Sequence, residues 1–249
     1  MRGLFPENTL PGFQAAIDAG ADSIECDIMA TRDEILVVHH DYTIGELLIR
    51  SLTLKEIKQY DCGAANPEFP LQKSIPGTII PTLEELLVLM SHSSVRLNLE
   101  IKRDARHPEW TLAPPVLAQK ILAAVKSKKL KTQVYYSSFD VEVLRAIRNI
   151  DATATIGLIF ASREIPEIPE KIVECARILR VAVFSPKDSY LKNREQVNSL
   201  QNMGFRVIPW TVNNPNRWEE LIEMGVDGII TDYPKGLLEY LSKRHGRQI

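Results

Sequence analysis

A chain of 249 residues, 45% hydrophobic and 25% charged, is long enough to bury a sizeable core as one large domain or two small ones. Its net charge of −2 gives no overall reason to expect nucleic acid or an acidic membrane surface as a partner. Cys26, Cys62 and Cys175 are odd in number and widely spaced, which excludes a disulfide framework and a thiolate zinc site. The default is therefore a reducing compartment, the cytoplasm, and no apolar run approaches the ~20 residues of a membrane span.

In chain order, Thr9–Ala19 reads as a helix: Thr9 can cap it, Pro11 suits its first turn and Gly20 can end it. Ser23–Ile28 is a candidate strand. Ile35–His40 is a second extended run, reached through so short a link, Arg32-Asp33-Glu34, that the two must form a hairpin and not a parallel crossover. Residues 41–81 have weak periodicity and several Pro and Gly turns, and are expected to form an excursion and not a second domain. Thr82–Met90 starts as a helix with Glu84 and Glu85 near the positive end of its dipole. From there, strands at Val95–Ile101, Gln133–Ser138, Thr155–Ile159, Val181–Ser185, Phe205–Val212 and Gly228–Thr231 alternate with helices. The helices are Ala113–Ser127, Val141–Ile150, Ile168–Ile178, Asn193–Met203 and Pro215–Met224. This alternation favours right-handed βαβ units and a parallel sheet. The expected fold is α/β, a single TIM-type (β/α)₈ barrel over residues 1–249 with the excursion at its mouth. Seven barrel strands are in place, and Met1-Arg2-Gly3 only begins to supply an eighth.

Glu25 and Asp27 are two apart on a strand and share a face, with Cys26 pointing the other way. Asn98, Glu100 and Lys102 share a parity on the next barrel strand. All lie toward strand C-termini, where barrel enzymes build their sites. Three carboxylates without His or Cys suit a hard cation, Mg²⁺ or Ca²⁺. Spacing alone leaves open a carboxylate–lysine ion-pair network with no metal. A hairpin turning near Asp33 sets Asp27 across from His39 and brings His40 close to the carboxylates, where an imidazole can serve as general acid or base. His39, of opposite parity, receives no role.

Several runs carry a resemblance: Arg2-Gly3 with Pro6-Glu7-Asn8-Thr9, Gly20-Ala21-Asp22-Ser23-Ile24-Glu25-Cys26-Asp27, and Val37-Val38-His39-His40-Asp41. Further runs are Ile80-Pro81-Thr82-Leu83-Glu84-Glu85, Leu99-Glu100-Ile101-Lys102, Ser137-Ser138-Phe139-Asp140, Trp210-Thr211-Val212-Asn213 and Gly228-Ile229-Ile230-Thr231-Asp232-Tyr233-Pro234. In this order, over essentially the whole chain, they resemble the glycerophosphodiester phosphodiesterases. The resemblance implies a TIM barrel that hydrolyses glycerophosphodiesters to sn-glycerol 3-phosphate and an alcohol. It assigns a divalent metal to Glu25, Asp27 and Glu100, phosphate contacts to Arg2 and Lys102, and one of two acid–base histidines to His40. Phe139 and Trp210 are candidates to pack against the glycerol.

The family pattern opens with His-Arg-Gly, and here Met1 stands at the histidine's position. A truncated start is the expected explanation, ahead of a catalytically silent glycerol-phosphate-binding barrel. A form extended upstream is then expected to be more active and more stable, since a barrel short of a strand exposes two sheet edges. The nearest enzyme alternative is a phospholipase D-like member acting on lysophospholipid or sphingolipid. It needs an apolar acyl-chain surface near the mouth, for which Leu47, Leu48 and Ile49 are the candidates. The partner in either case is a small molecule.

Overall fold

The computed structural model describes residues 1–162 and 164–245. Helix α1 (Leu10–Asp18) starts where Thr9 accepts a hydrogen bond from the Gly12 N–H, and the chain leaves it through Gly20 at φ +80°. Strand β1 (Ser23–Ala30) runs two residues past its predicted end because its last residues pair with β2 (Leu36–Val38), Ile28 opposite Val38 and Ala30 opposite Leu36. The hairpin turns over Thr31–Ile35, with Glu34 in the left-handed region, close to the expected centre at Asp33.

The excursion holds a small hairpin, β3 (Thr43–Ile44) and β4 (Leu47–Leu48), and a one-turn helix α2 (Leu54–Ile57). A second hydrophobic cluster of Met29, Val37, Ile49, Leu52, Ile57 and Ile80 packs it onto β1 and β2. Asp61 clips its far loop: one carboxylate oxygen accepts from the Gly63 N–H and the other from the Gly77 N–H.

Helix α3 (Leu83–Met90) carries a reciprocal capping box between Thr82 and Glu85. The regular alternation then follows: β5 (Arg96–Ile101), α4 (Pro114–Ser127), β6 (Val134–Ser138), α5 (Val141–Ile150), β7 (Ile156–Phe160) and α6 (Glu170–Ile178). It ends with β8 (Val183–Pro186), α7 (Arg194–Asn202), β9 (Arg206–Val207), α8 (Pro215–Met224) and α9 (Pro234–His245). The sheet order is β2-β1-β5-β6-β7-β8-β9, with every pairing parallel except β1 with β2. This is the wall of a TIM-type barrel. Outward-facing Cys26, Ile28, Leu97, Leu99, Tyr136 and Phe184 form the core against the helices.

Two predicted strands are corrected. Phe205–Val212 shortens to Arg206–Val207, and Gly228–Thr231 forms no regular strand. Pro209 has no N–H to give toward the Gly228–Thr231 segment and Pro186 none to give toward β9, so neither ladder stays regular, although Ile208 and Trp210 still donate to Phe184 O and Pro186 O. Single backbone bonds still hold the two segments side by side, from the Val212 N–H to Ile230 O and from the Ile230 N–H to Pro209 O. At the mouth the Gly3 N–H donates to Asp232 O, and Gly3 lies so flat on Tyr233 that a Cβ there would come within 2.1 Å of the ring.

Candidate active site

The parallel register of β1 and β5 sets Glu25 beside Asn98 and Asp27 beside Glu100. Carboxylate oxygens of Glu25, Asp27 and Glu100 all lie within 4.8 Å of one another. Lys102 Nζ stands 3.3 Å from Asp27 Oδ1 and 3.3 Å from Glu100 Oε1, and its side chain is only 14% exposed. An ion-pair network therefore exists, but one ammonium faces three carboxylates. Glu25 Oε1 is buried with no hydrogen-bond partner, and a buried acceptor left unpaired is costly.

The electrostatics record the same imbalance. Burial, followed by the charges of Asp27 and Glu100, pushes the Glu25 carboxyl well above its usual range. Burial and Asp27 bring Glu100 up to about 7. Burial opposes the Lys102 charge, yet Glu100 and Asp27 outweigh it and hold the ammonium more firmly than usual. An all-oxygen donor set with an orphaned oxygen and excess negative charge fits a hard divalent cation, which these three residues could hold.

Asn8 braces the cradle. Its Nδ2 donates to Asp27 Oδ2 at 2.9 Å, and its Oδ1 accepts from the Asp27 N–H at 3.2 Å. This grip needs the backbone of Asn8 at φ +55°, a conformation asparagine tolerates better than most residues. Sequence reasoning gave Asn8 no role, because the contact comes from a loop and follows no strand parity. Asn8→Ala is expected to weaken divalent-cation affinity by roughly 10–100-fold, as loss of a ligand's supporting hydrogen bonds does, read by titration calorimetry.

The hairpin delivers the histidines as expected. The His39 N–H donates to Asp27 O, while its ring turns away to Thr43 O and its pKa is lowered, chiefly by burial. His40 lines the cavity in front of the carboxylates, its Nδ1 2.8 Å from Asp41 Oδ1. Arg2 lines the same cavity, but its Nε pairs with Glu7 Oε2 at 2.9 Å and its guanidinium lies 4.9 Å from the Phe69 ring centre. The excursion grips this loop: Gln72 donates to Arg2 O and Phe5 O, and the Lys73 N–H donates to Leu4 O. Phe139, 42% exposed, meets Trp210 edge-to-face at 5.5 Å, and Trp210 Nε1 donates to Ser185 O. The structure thus brings all eight predicted site residues to one cavity of about 1090 Å³.

Comparison with known proteins bears on this geometry. The model of the glycerophosphoryl diester phosphodiesterase family matches residues 1–236. A glycerophosphodiester phosphodiesterase of Caldanaerobacter subterraneus subsp. tengcongensis is 33% identical over 245 residues, spanning 96% of this chain and 93% of that protein. A solved structure from Silicibacter pomeroyi superposes with a TM-score of 0.89 at 27% identity, covering 98% of this chain and 90% of that one. An Oleispira antarctica phosphodiesterase, solved in complex with the product sn-glycerol-3-phosphate, shares the fold at a TM-score of 0.83 and 24% identity, over 96% and 93% of the two chains.

Proposed function

Because the chain belongs to the glycerophosphoryl diester phosphodiesterase family, we propose that it hydrolyses glycerophosphodiesters to sn-glycerol 3-phosphate and an alcohol, using Mg²⁺ or Ca²⁺ held by Glu25, Asp27 and Glu100. The observation that carries the metal assignment is the unpartnered Glu25 Oε1 inside a cradle with more carboxylates than cations. When bound, the cation neutralises charge that builds on the phosphoryl oxygens. Lys102 adds a point charge beside it, and Arg2 can offer a planar fork once it leaves Glu7. Asp41 engages His40 Nδ1 and leaves Nε2 to take or give a proton at the reacting oxygens. Phe139 and Trp210 supply an apolar wall for the glycerol carbons.

The whole chain acts, in this reading, as one barrel domain on a small-molecule substrate. No helix among the described residues is long and apolar enough to cross a membrane. The three cysteines are free, which supports the cytoplasm as its location. The lysophospholipid alternative loses most of its proposed acyl surface: Ile49 is 1% exposed in the second cluster, and only Leu47 of the three candidates is largely exposed.

Incubation with glycerophosphocholine and either cation is expected to release sn-glycerol 3-phosphate, with activity lost in EDTA and little turnover of lysophosphatidylcholine. Tight binding of sn-glycerol 3-phosphate with no hydrolysis of any diester would sink the enzyme reading in favour of a silent binder.

A further inference from the structure

The end of β5 serves two cavities. Next to the one described lies a second, of about 500 Å³, and the two share Glu100, Lys102 and Phe139. The rest of the second wall comes from Tyr42, Ile101, the Arg103–Arg106 segment, Asp140 and Val141. A phosphodiester has two ester arms on one phosphorus. With its phosphate at Lys102, one arm can enter each cavity.

We propose that the second cavity seats the departing alcohol arm and selects an uncharged polyol of about glycerol's size over a cationic amino alcohol. This rests on the function proposed above. The selectivity follows from how the wall is charged. Its own charges cancel in pairs, Arg103 with Asp140 and Arg106 with Asp104, while Glu100 and Lys102, which also meets Asp27, belong to the cradle and are engaged there by cation and phosphate. No carboxylate is left over for an ammonium. Tyr42 lines the same wall, and its hydroxyl has no hydrogen-bond partner among the described residues. The Tyr42 ring is braced by Trp110 at 5.2 Å, itself stacked on His107 at 3.9 Å, which fixes the side chain that would meet an alcohol O–H. Phe139 gives the carbon chain an apolar face.

Arg106 is the removable part of this device. Its Nε and guanidinium bind both oxygens of Asp104 at 2.9 and 2.6 Å, yet its side chain is 84% exposed while Asp104 is 17% exposed. The arginine masks a carboxylate that would otherwise face the cavity.

The test uses phosphonate analogues of glycerophosphoglycerol and glycerophosphocholine, in which a P–C bond replaces the scissile P–O bond, titrated calorimetrically with Ca²⁺ present. The unaltered protein is expected to bind the glycerol analogue about three- to tenfold more tightly, the worth of one hydrogen bond. Tyr42→Phe should erase that preference. Arg106→Ala should shift it at least about threefold toward the choline analogue, and adding Asp104→Asn should reverse the shift. Equal affinities in the unaltered protein, or equal changes for both analogues in each variant, would overturn the proposal. Binding needs no turnover, so the two readings fail separately: no hydrolysis of natural diesters overturns the enzyme reading, and loss of the preference with hydrolysis intact overturns this one.

Discussion

Glu25→Gln is expected to lower glycerophosphodiester hydrolysis by at least about a thousandfold while raising the melting temperature of the metal-free protein. Glutamine keeps the shape of the side chain but removes one of three charges from the cradle. A cation polarising a phosphoryl oxygen contributes several kcal/mol, and each 1.36 kcal/mol is about tenfold in rate, so a badly held metal forfeits roughly three orders of magnitude. Stability moves the other way. In the absence of metal, Glu25 is buried beside Asp27 and Glu100 with an unpaired oxygen, and its carboxyl is forced well above its usual pKa. A neutral amide removes that repulsion and brings an N–H₂ that can donate to a neighbouring carboxylate. Kinetics with Ca²⁺, calorimetric Ca²⁺ affinity and melting in EDTA read the three effects. Unchanged activity would take Glu25 out of the cradle, and a lower melting temperature in EDTA would mean its charge is well compensated.

The metal-free protein is also expected to lose stability as pH rises from about 5 to 8, with divalent cations restoring far more at pH 8 than at pH 5. Burial and Asp27 raise Glu100 to about 7 in the folded chain, against about 4.3 for a free glutamate. A carboxyl raised on folding binds more protons in the native state. Its contribution is fully present below its unfolded pKa and is lost as pH climbs through the folded one. Glu25 is shifted in the same direction. Lys102 is held even more firmly charged, so it stays protonated across this window and adds no slope. A cation binds the ionised cradle and releases those protons, which reverses the trend. At roughly 2–4 °C per kcal/mol for a chain of this size, the change is several degrees. Melting curves in EDTA and in Ca²⁺ at four pH values test it; parallel profiles would show that the carboxyls do not give up protons to the metal.

The cradle was legible in the sequence because strand parity is rigid: Glu25 with Asp27, and Glu100 with Lys102, share faces whatever lies around them. The start of α1 and the fold class were legible for a similar reason, since capping and strand–helix alternation are local rules. What escaped reading depends on contacts distant in the chain. Asn8 reaches Asp27 from a left-handed loop position, and Glu7 intercepts Arg2. The far end of Phe205–Val212 failed because prolines on it and on its neighbour, Pro209 and Pro186, withhold ladder hydrogen bonds from a good apolar run. The core of the excursion was hidden too, since Ile49 and Ile57 are buried against Met29 and Val37 from a different part of the chain.

The excursion has a consequence for how the site can diversify. Asp27 and Glu100 meet across about twice the chain separation that joins Glu100 to Ser137 on the following strand. Closing a loop of doubled length costs only about 0.6 kcal/mol more, because the entropy grows with the logarithm of length. Insertions and deletions beyond Tyr42 are therefore cheap in chain entropy, provided the second cluster stays filled, Gln72 keeps its hold on the Arg2 loop and Thr82 still starts its helix. The carboxylate register belongs to β1 and β5, and past His40 the excursion puts only Tyr42 on either cavity, so its outer loops can be rewritten without touching the cradle. Lineages built on this plan can lengthen or shorten the far loop of the excursion while inheriting the same chemistry.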